Sequence, residues 1–97
     1  MVRYVLLLKF TEEGISHVQD SVARGEAFKA ACQQAGVTVE SVLWTLGEYD
    51  GVVLLKGPDE AAVTAQVLGL AKLGRVRTCL LRAFDAAEFK NIVSKMP

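Results

Sequence analysis

The chain has 97 residues, which suffices for one domain over 1–97 with a single hydrophobic core, and not for two. It is 52% hydrophobic and 23% charged, a balance that excludes a disordered chain. Eleven basic residues match eleven acidic ones, so the chain lacks the basic surface that a nucleic-acid partner would require. A net charge of zero leaves little repulsion between copies, and self-association is expected.

The two cysteines, Cys32 and Cys79, are too few for a disulfide scaffold and stand among apolar neighbours, where we expect them to pack as small hydrophobic residues. His17 has no second histidine with which to share a metal ion. No signal peptide is recognisable, and the longest apolar run, residues 5–8, is too short to span a bilayer. We therefore expect a soluble, cytoplasmic protein with no metal, no cofactor and no membrane partner.

The first third of the chain predicts a strand over residues 2–10, apolar on both faces, followed by helix. Thr11 is suited to cap a helix because two acids follow it near the positive end of the helix dipole. Apolar or small residues then recur at helical spacing, at Ile15, Val18, Val22, Gly25, Phe28, Cys32 and Ala35. We expect a short helix, an interruption near Asp20, and a longer helix that ends before Gly36.

The middle of the chain predicts two strands, over residues 37–46 and 50–56, joined by a tight polar turn. Gly47 and Gly51 flank that turn, and both are expected to adopt positive φ. Asp59 then caps a helix over residues 60–73, and a fourth strand follows over 76–84. Asp85 and Glu88 have the spacing of a capping box, which opens a last helix with one apolar side.

The element order β-α-β-β-α-β with a C-terminal helix is that of a ferredoxin-like α+β fold, with an antiparallel sheet and the two main helices on one face. An antiparallel sheet with one solvated face should alternate apolar and polar residues. Strands one, three and four are instead apolar on both faces. We expect the helix-free face to be covered by a second copy, which predicts a homodimer or a multiple of it.

The hairpin resembles that of the GYD-domain family, whose Gly-Tyr-Asp motif is matched by Gly47, Tyr49 and Asp50 with Glu48 interposed. Residues 4–11 and 77–84 are also similar to that family, so the resemblance covers essentially the whole chain. It implies a dimeric α+β barrel, in which two ferredoxin-like sheets pair. It implies no particular biochemical function.

Two residues are candidates for catalysis. A lone histidine such as His17 is most often a solvated surface residue, but an imidazole is also suited to act as a general base or to hydrogen-bond a substrate. Asp50 is expected either to brace the amides of its own turn or to act as a general base at the mouth of a pocket between sheet and helices. In this topology the end of strand one meets the turn before strand three, so we expect His17 and Asp50 at the same edge of the sheet.

Three further residues are candidates for ligand binding. Trp44 suits the core, an interface or a flat ligand platform, and Tyr49 offers a hydroxyl group. Arg82 stands in an apolar strand, so it would need a carboxylate from Asp50 or Glu48 of the same or a partner chain, or an anionic ligand.

Two functions stay open at this point. One is a non-catalytic homodimer that binds a small apolar or anionic molecule, or simply assembles. The other is a cofactor-independent enzyme of the monooxygenase or isomerase type, by analogy with dimeric α+β barrels. The enzyme needs a cavity on which His17, Tyr49, Asp50 and Arg82 converge, whereas the binding protein needs only the cavity.

Overall fold

A computed structural model describes all 97 residues and contains one four-stranded antiparallel sheet with the strand order β2-β3-β1-β4. The strands are β1 (Val2–Phe10), β2 (Thr38–Trp44), β3 (Gly51–Gly57) and β4 (Val76–Ala83). The helices are α1 (Glu12–Ser16), α2 (Ser21–Gln34), α3 (Glu60–Ala71) and α4 (Ala86–Val93), with a 3-10 turn at Val18–Asp20 between α1 and α2. This order confirms the predicted ferredoxin-like α+β fold and the helix interruption near Asp20.

The predicted helix caps are confirmed. Thr11, Asp59 and Asp85 each accept, through a side-chain oxygen, a hydrogen bond from a backbone N–H of the first turn that they precede. At α4 the capping box is complete, because the Glu88 carboxylate also accepts from the Asp85 N–H, at 3.0 Å. These short-range bonds fix where α1, α3 and α4 begin.

Helix α1 is held against the start of β4 by a very close approach of the two backbones. The Thr11 N–H donates to the Arg75 carbonyl at 3.1 Å. A Cβ on Gly14 would lie only 1.9 Å from the Arg75 carbonyl oxygen, closer than any side chain permits. Glycine is therefore required at position 14 for α1 to lie where it does.

One face of the sheet is covered by α2 and α3. Residues opposite each other in an antiparallel pair share a face, and Leu6 lies opposite both Val53 and Leu80. Leu6 is fully buried beneath the two helices. The buried core of this layer consists of Tyr4, Leu6, Phe28, Cys32, Val37, Val39, Val53, Leu55, Val63 and Val67.

The other face of the sheet is also apolar, but no helix supplies a buried residue to it. Leu7 lies opposite Val52 and Cys79 on this open face. A second row contains Val5 and its neighbours Leu54 and Leu81, which are 38% and 44% exposed. The open face therefore presents aliphatic side chains to solvent in a single chain.

Helix α4 extends from the sheet with its apolar side unpacked. Phe89, Ile92, Val93 and Met96 are all exposed, by between 41% and 68%. The radius of gyration, 14.5 Å, exceeds the value of about 12.5 Å typical of a compact chain of this length. No helix combines the length and hydropathy needed to cross a membrane. A single chain thus exposes two apolar surfaces, namely one side of α4 and the open face of the sheet.

The hairpin differs from its prediction in length and in glycine geometry. Strand β2 ends at Trp44, and Leu46, predicted to lie in the strand, is fully exposed in the loop. The loop is closed by a hydrogen bond from the Thr45 N–H to the Asp50 carbonyl at 2.9 Å. Gly47 has the expected positive φ of 111°, whereas Gly51 does not, because it already belongs to the extended strand β3.

Of the residues at helical spacing in the first helices, Ile15, Val18 and Val22 are exposed. One packing prediction is wrong. Cys32 is buried as expected, but Cys79 is exposed because it lies on the open face.

Candidate functional site

A cavity of about 400 Å³ lies between the covered face of the sheet and helices α2 and α3, at the end of the sheet that carries the β2–β3 hairpin. Twelve of its 20 lining residues are hydrophobic. Leu8, Gly51 and Val53 contribute from the central strands of the sheet, and Phe28 and Leu70 from the two helices. The core is therefore filled at one end of the covered face and hollow at the other.

Small residues on the helices create this hollow. At Gly69, on α3, an added Cβ would meet no atom within 4 Å, although the residue lines the cavity. The filled end is different, since a Cβ on Gly57 would lie 2.7 Å from Cγ2 of Val63. The helix wall opposite the hairpin thus lacks the side chains that would complete the core.

Trp44 forms part of the cavity wall on the β2 side. It lies opposite Gly51 at the end of β2, and its ring atoms lie 3.5 Å from the position of a Cβ on Gly25. The side chain is 47% exposed, so it stands between the cavity and solvent. This position fits the predicted ligand-binding role of Trp44, which stays a prediction.

Asp50 also lines the cavity, and it is held by the end of β1. Its N–H donates to the Leu8 carbonyl at 2.8 Å, and its Oδ2 accepts from the Phe10 N–H at 2.8 Å. The carboxylate therefore extends the pairing of β1 and β3 by one step beyond the last backbone pair. The prediction that Asp50 braces its own turn is wrong, because the side-chain hydrogen bond of Asp50 is to the N–H of Phe10 on the neighbouring strand β1.

His17, the other predicted catalytic residue, does not line the cavity. It is exposed, and its Nδ1 lies 3.0 Å from both the Glu13 carbonyl oxygen and the Ser16 hydroxyl. The ring is thus engaged with its own helix α1. A catalytic role for His17 stays a prediction that this placement does not support.

Tyr49 does not line the cavity either. Its ring lies beside Lys9, whose Nζ is 5.2 Å from the ring centroid. Lys9 projects from the open face, where it lies opposite Arg77. The Tyr49 ring is therefore directed toward the open side of the sheet, away from the cavity.

Arg82 lies at the other end of the sheet, opposite Tyr4 and several residues from the hairpin. Its guanidinium group is 4.4 Å from the Phe84 ring centroid, and its Nη2 lies 3.6 Å from the Glu88 carboxylate. The carboxylate partner predicted for Arg82 therefore exists, but it is Glu88 of the same chain. Asp50 and Glu48 do not supply it.

Several polar residues of the cavity were not predicted, namely Ser21, Arg24, Gln66 and Arg75. Arg75 is compensated by Glu13, with Nε 3.2 Å from Oε1. Arg24 was detectable, because it precedes Phe28 by four residues and Cys32 by eight, which places it on the buried stripe of α2. A charged residue among the buried positions of a helix is the sequence signal that indicates this part of the cavity wall.

One ionisable group has a clearly shifted pKa. Burial raises the pKa of the Cys32 thiol to about 11, so the thiol is protonated and unreactive near neutrality. No group of three or more His, Cys, Asp or Glu side chains is placed to hold a metal ion. The cavity is thus a mainly apolar site with isolated charges at its wall.

The fold and the cavity together define a ferredoxin-like α+β protein with a small-molecule-sized pocket between sheet and helices. The family model of the GYD domain matches residues 4–93, and the chain belongs to the GYD-domain family. No curated protein and no solved structure matches the chain significantly.

Proposed function

We propose that this GYD-domain protein is a non-catalytic homodimer that binds a small, largely apolar molecule in the cavity between the sheet and helices α2 and α3. The observation that carries the proposal is the cavity itself. Its volume of about 400 Å³ falls within the range of small-molecule sites, about 300 to 1,000 Å³. An apolar lining with a few polar groups is the usual composition of such sites.

Binding is favoured over catalysis by the placement of the candidate acids and bases. Of the groups that the enzyme hypothesis requires, Asp50 lines the cavity, whereas His17, Tyr49 and Arg82 do not. One oxygen of Asp50 is already engaged by the Phe10 N–H. General acid–base chemistry normally pairs a base with a second group within reach of the same substrate. The arrangement supports a binding protein better than a monooxygenase or isomerase.

The homodimer is supported by the two apolar surfaces that a single chain leaves uncovered. Leu43, Leu54 and Leu81 are between 38% and 54% exposed on the open face, and α4 exposes a further apolar side. Only 13 of 97 residues are buried, which is few for a stable domain of this size. A second copy offers the same open face, so pairing of the two open faces would remove their aliphatic side chains from water.

A cytoplasmic location belongs to the same proposal. Cys32 and Cys79 are both free, and they lie on opposite sides of the sheet, where no disulfide could join them. Free thiols of this kind suit a reducing compartment.

The test of the binding function is to fill the cavity from α3. In Gly69→Leu the new side chain enters open space in a helix, so the variant should fold and should lose binding. The control is Ala65→Leu, which adds the same side chain to an exposed position of α3 outside the cavity. The probe is the neutral aromatic compound 1-naphthylacetamide, and the readout is the fluorescence of Trp44, the only tryptophan.

Saturable quenching is expected in the parent protein and in Ala65→Leu, and no quenching in Gly69→Leu. If a folded Gly69→Leu variant binds the probe as the parent does, the cavity is not the binding site. Absence of binding of this probe and of its carboxylate analogue in the parent protein would count against the proposed function as a whole.

A further inference from the structure

Arg24 is the one arginine of the cavity wall that has no acidic partner. The four ion pairs of the chain involve Arg3, Lys56, Arg75 and Arg82, and not Arg24. Asp20 precedes Arg24 by four residues, the spacing at which helical ion pairs form, yet the two do not pair. Arg24 Nη1 instead donates to the His17 carbonyl at 3.1 Å.

The second terminal nitrogen of this guanidinium group is unsatisfied. Arg24 Nη2 is enclosed by the protein and has no hydrogen-bond partner. An enclosed donor without an acceptor is destabilising, and more so when it carries charge. The contact with the His17 carbonyl holds the guanidinium group at the wall while its charge stays uncompensated. Arg24 lines the cavity, so an anionic acceptor bound there would compensate the charge of its guanidinium group.

The surrounding wall adds to this preference for an anion. Ser21, the first residue of α2, also lines the cavity and offers a hydroxyl group. The preceding Asp20 makes no side-chain hydrogen bond to the first turn of α2, and that turn contains no acidic residue. Asp50 is the one acid of the cavity lining, and one of its two carboxylate oxygens accepts from the Phe10 N–H.

We infer that the molecule held in the cavity is a monocarboxylate with an apolar body, and that Arg24 binds its carboxylate. This inference rests on the proposed binding function. A planar carboxylate matches the donor edge of a guanidinium group, and one such group suffices to compensate a single negative charge. A phosphate group would call for more cations, and the other arginine of the wall is already paired with Glu13. The aliphatic and aromatic lining accounts for the apolar body.

The experiment compares two compounds that share one apolar body, 1-naphthylacetate and its neutral amide 1-naphthylacetamide. Affinities are measured by Trp44 fluorescence and by calorimetry for the parent protein and for Arg24→Gln, Arg24→Lys and Lys29→Gln. Lys29→Gln is the matched control, since it removes a positive charge from an exposed position of the same helix outside the cavity.

The parent protein and Lys29→Gln should bind the carboxylate about tenfold more tightly than the amide, or better. Arg24→Gln should bind both compounds with the affinity of the amide. Arg24→Lys should retain part of the preference, because it keeps the charge and loses the planar donor edge. This partial loss also tests the inference if Arg24→Gln proves too unstable to study.

Equal affinity of the parent for the two compounds would overturn the inference and leave the proposed binding function standing. A full carboxylate preference in a folded Arg24→Gln or Arg24→Lys variant would also overturn it. Binding of neither compound to the parent would remove the proposed function, and the inference with it.

Discussion

Leu6 and Leu7 are chemically identical neighbours in the central strand β1, yet they have different surroundings. Leu6 is fully buried under α2 and α3, whereas Leu7 faces the open side of the sheet between Val52 and Cys79. A hydrophobic residue in a strand therefore indicates that its position is to be covered, but it does not indicate which element or molecule covers it. The covered face is packed by helices of the same chain, whereas the open face is covered by no element of its own chain and, in the proposed homodimer, by a second copy.

The sharpest test of this difference is to place the same charge on each face. Leu6→Asp should prevent folding, because an unpaired buried carboxylate costs about 4 kcal/mol or more, which is most of the stability of a small domain. Leu7→Asp should leave the helix-covered core intact and convert a dimer of twice 10.5 kDa into a less stable monomer. Circular dichroism and sedimentation at micromolar concentration measure the two effects.

An unaltered dimer in Leu7→Asp would show that the open face is not the interface. A parent protein that sediments as a monomer would contradict the homodimer directly.

A second test compares two glycines of the covered side, one at a close contact and one at the hollow. Gly14→Ala should lower the free energy of unfolding by about 2 to 3 kcal/mol, because the new Cβ would lie 1.9 Å from the Arg75 carbonyl oxygen. Gly69→Ala should raise it by about 0.5 to 1 kcal/mol, since alanine favours the helix and meets no atom there. Urea denaturation measures both, and equal stabilities would refute the contrast.

A third test uses the pH dependence of stability contributed by the buried thiol. The pKa of Cys32 is raised in the folded chain to about 11 from an ordinary value of 9.0. Between these values the unfolded state binds fewer protons than the folded state, so stability is intact below pH 9 and falls as the pH rises. The loss should reach about 2 kcal/mol near pH 10.5.

The measurement is the urea midpoint from pH 8 to pH 11 for the parent protein and for Cys32→Ala, in which this part of the slope should disappear. Cys79→Ala, measured in the same way, reports any contribution from the second thiol. The same slope in all three proteins would show that Cys32 is not the group responsible.

The strands and the helix starts were predictable because their signals are local. Thr11, Asp59 and Asp85 cap helices through bonds that span three residues, and short apolar runs bounded by turn residues indicate strands without knowledge of their partners. The exposure of Val22 and the ordinary φ of Gly51 were not predictable in this way. Both depend on the path of the chain before it reaches the sheet. Residue spacing in the sequence gives no information about that path.

The candidate site was predictable only in part, for the same reason. Strand topology brings Asp50 beside the end of β1, and both Asp50 and Trp44 do line the cavity. The cavity itself results from missing side chains, such as that of Gly69, and a missing side chain has no periodicity to detect. Arg24 was predictable in principle, because its spacing from Phe28 and Cys32 places it on the buried stripe of α2.

The strand order has a consequence for how the chain folds as it is synthesised. Of the four strands, β1 is synthesised first, but it lies at the centre of the sheet between β3 and β4. Its pairing with β4, Val76–Ala83, joins distant parts of the chain, and such non-local pairing slows folding. Until β4 is available, one edge of β1 has no partner and is open to pairing with other chains. Strand β1 is thus made before the other three strands, but its second edge is paired only when β4 has been made.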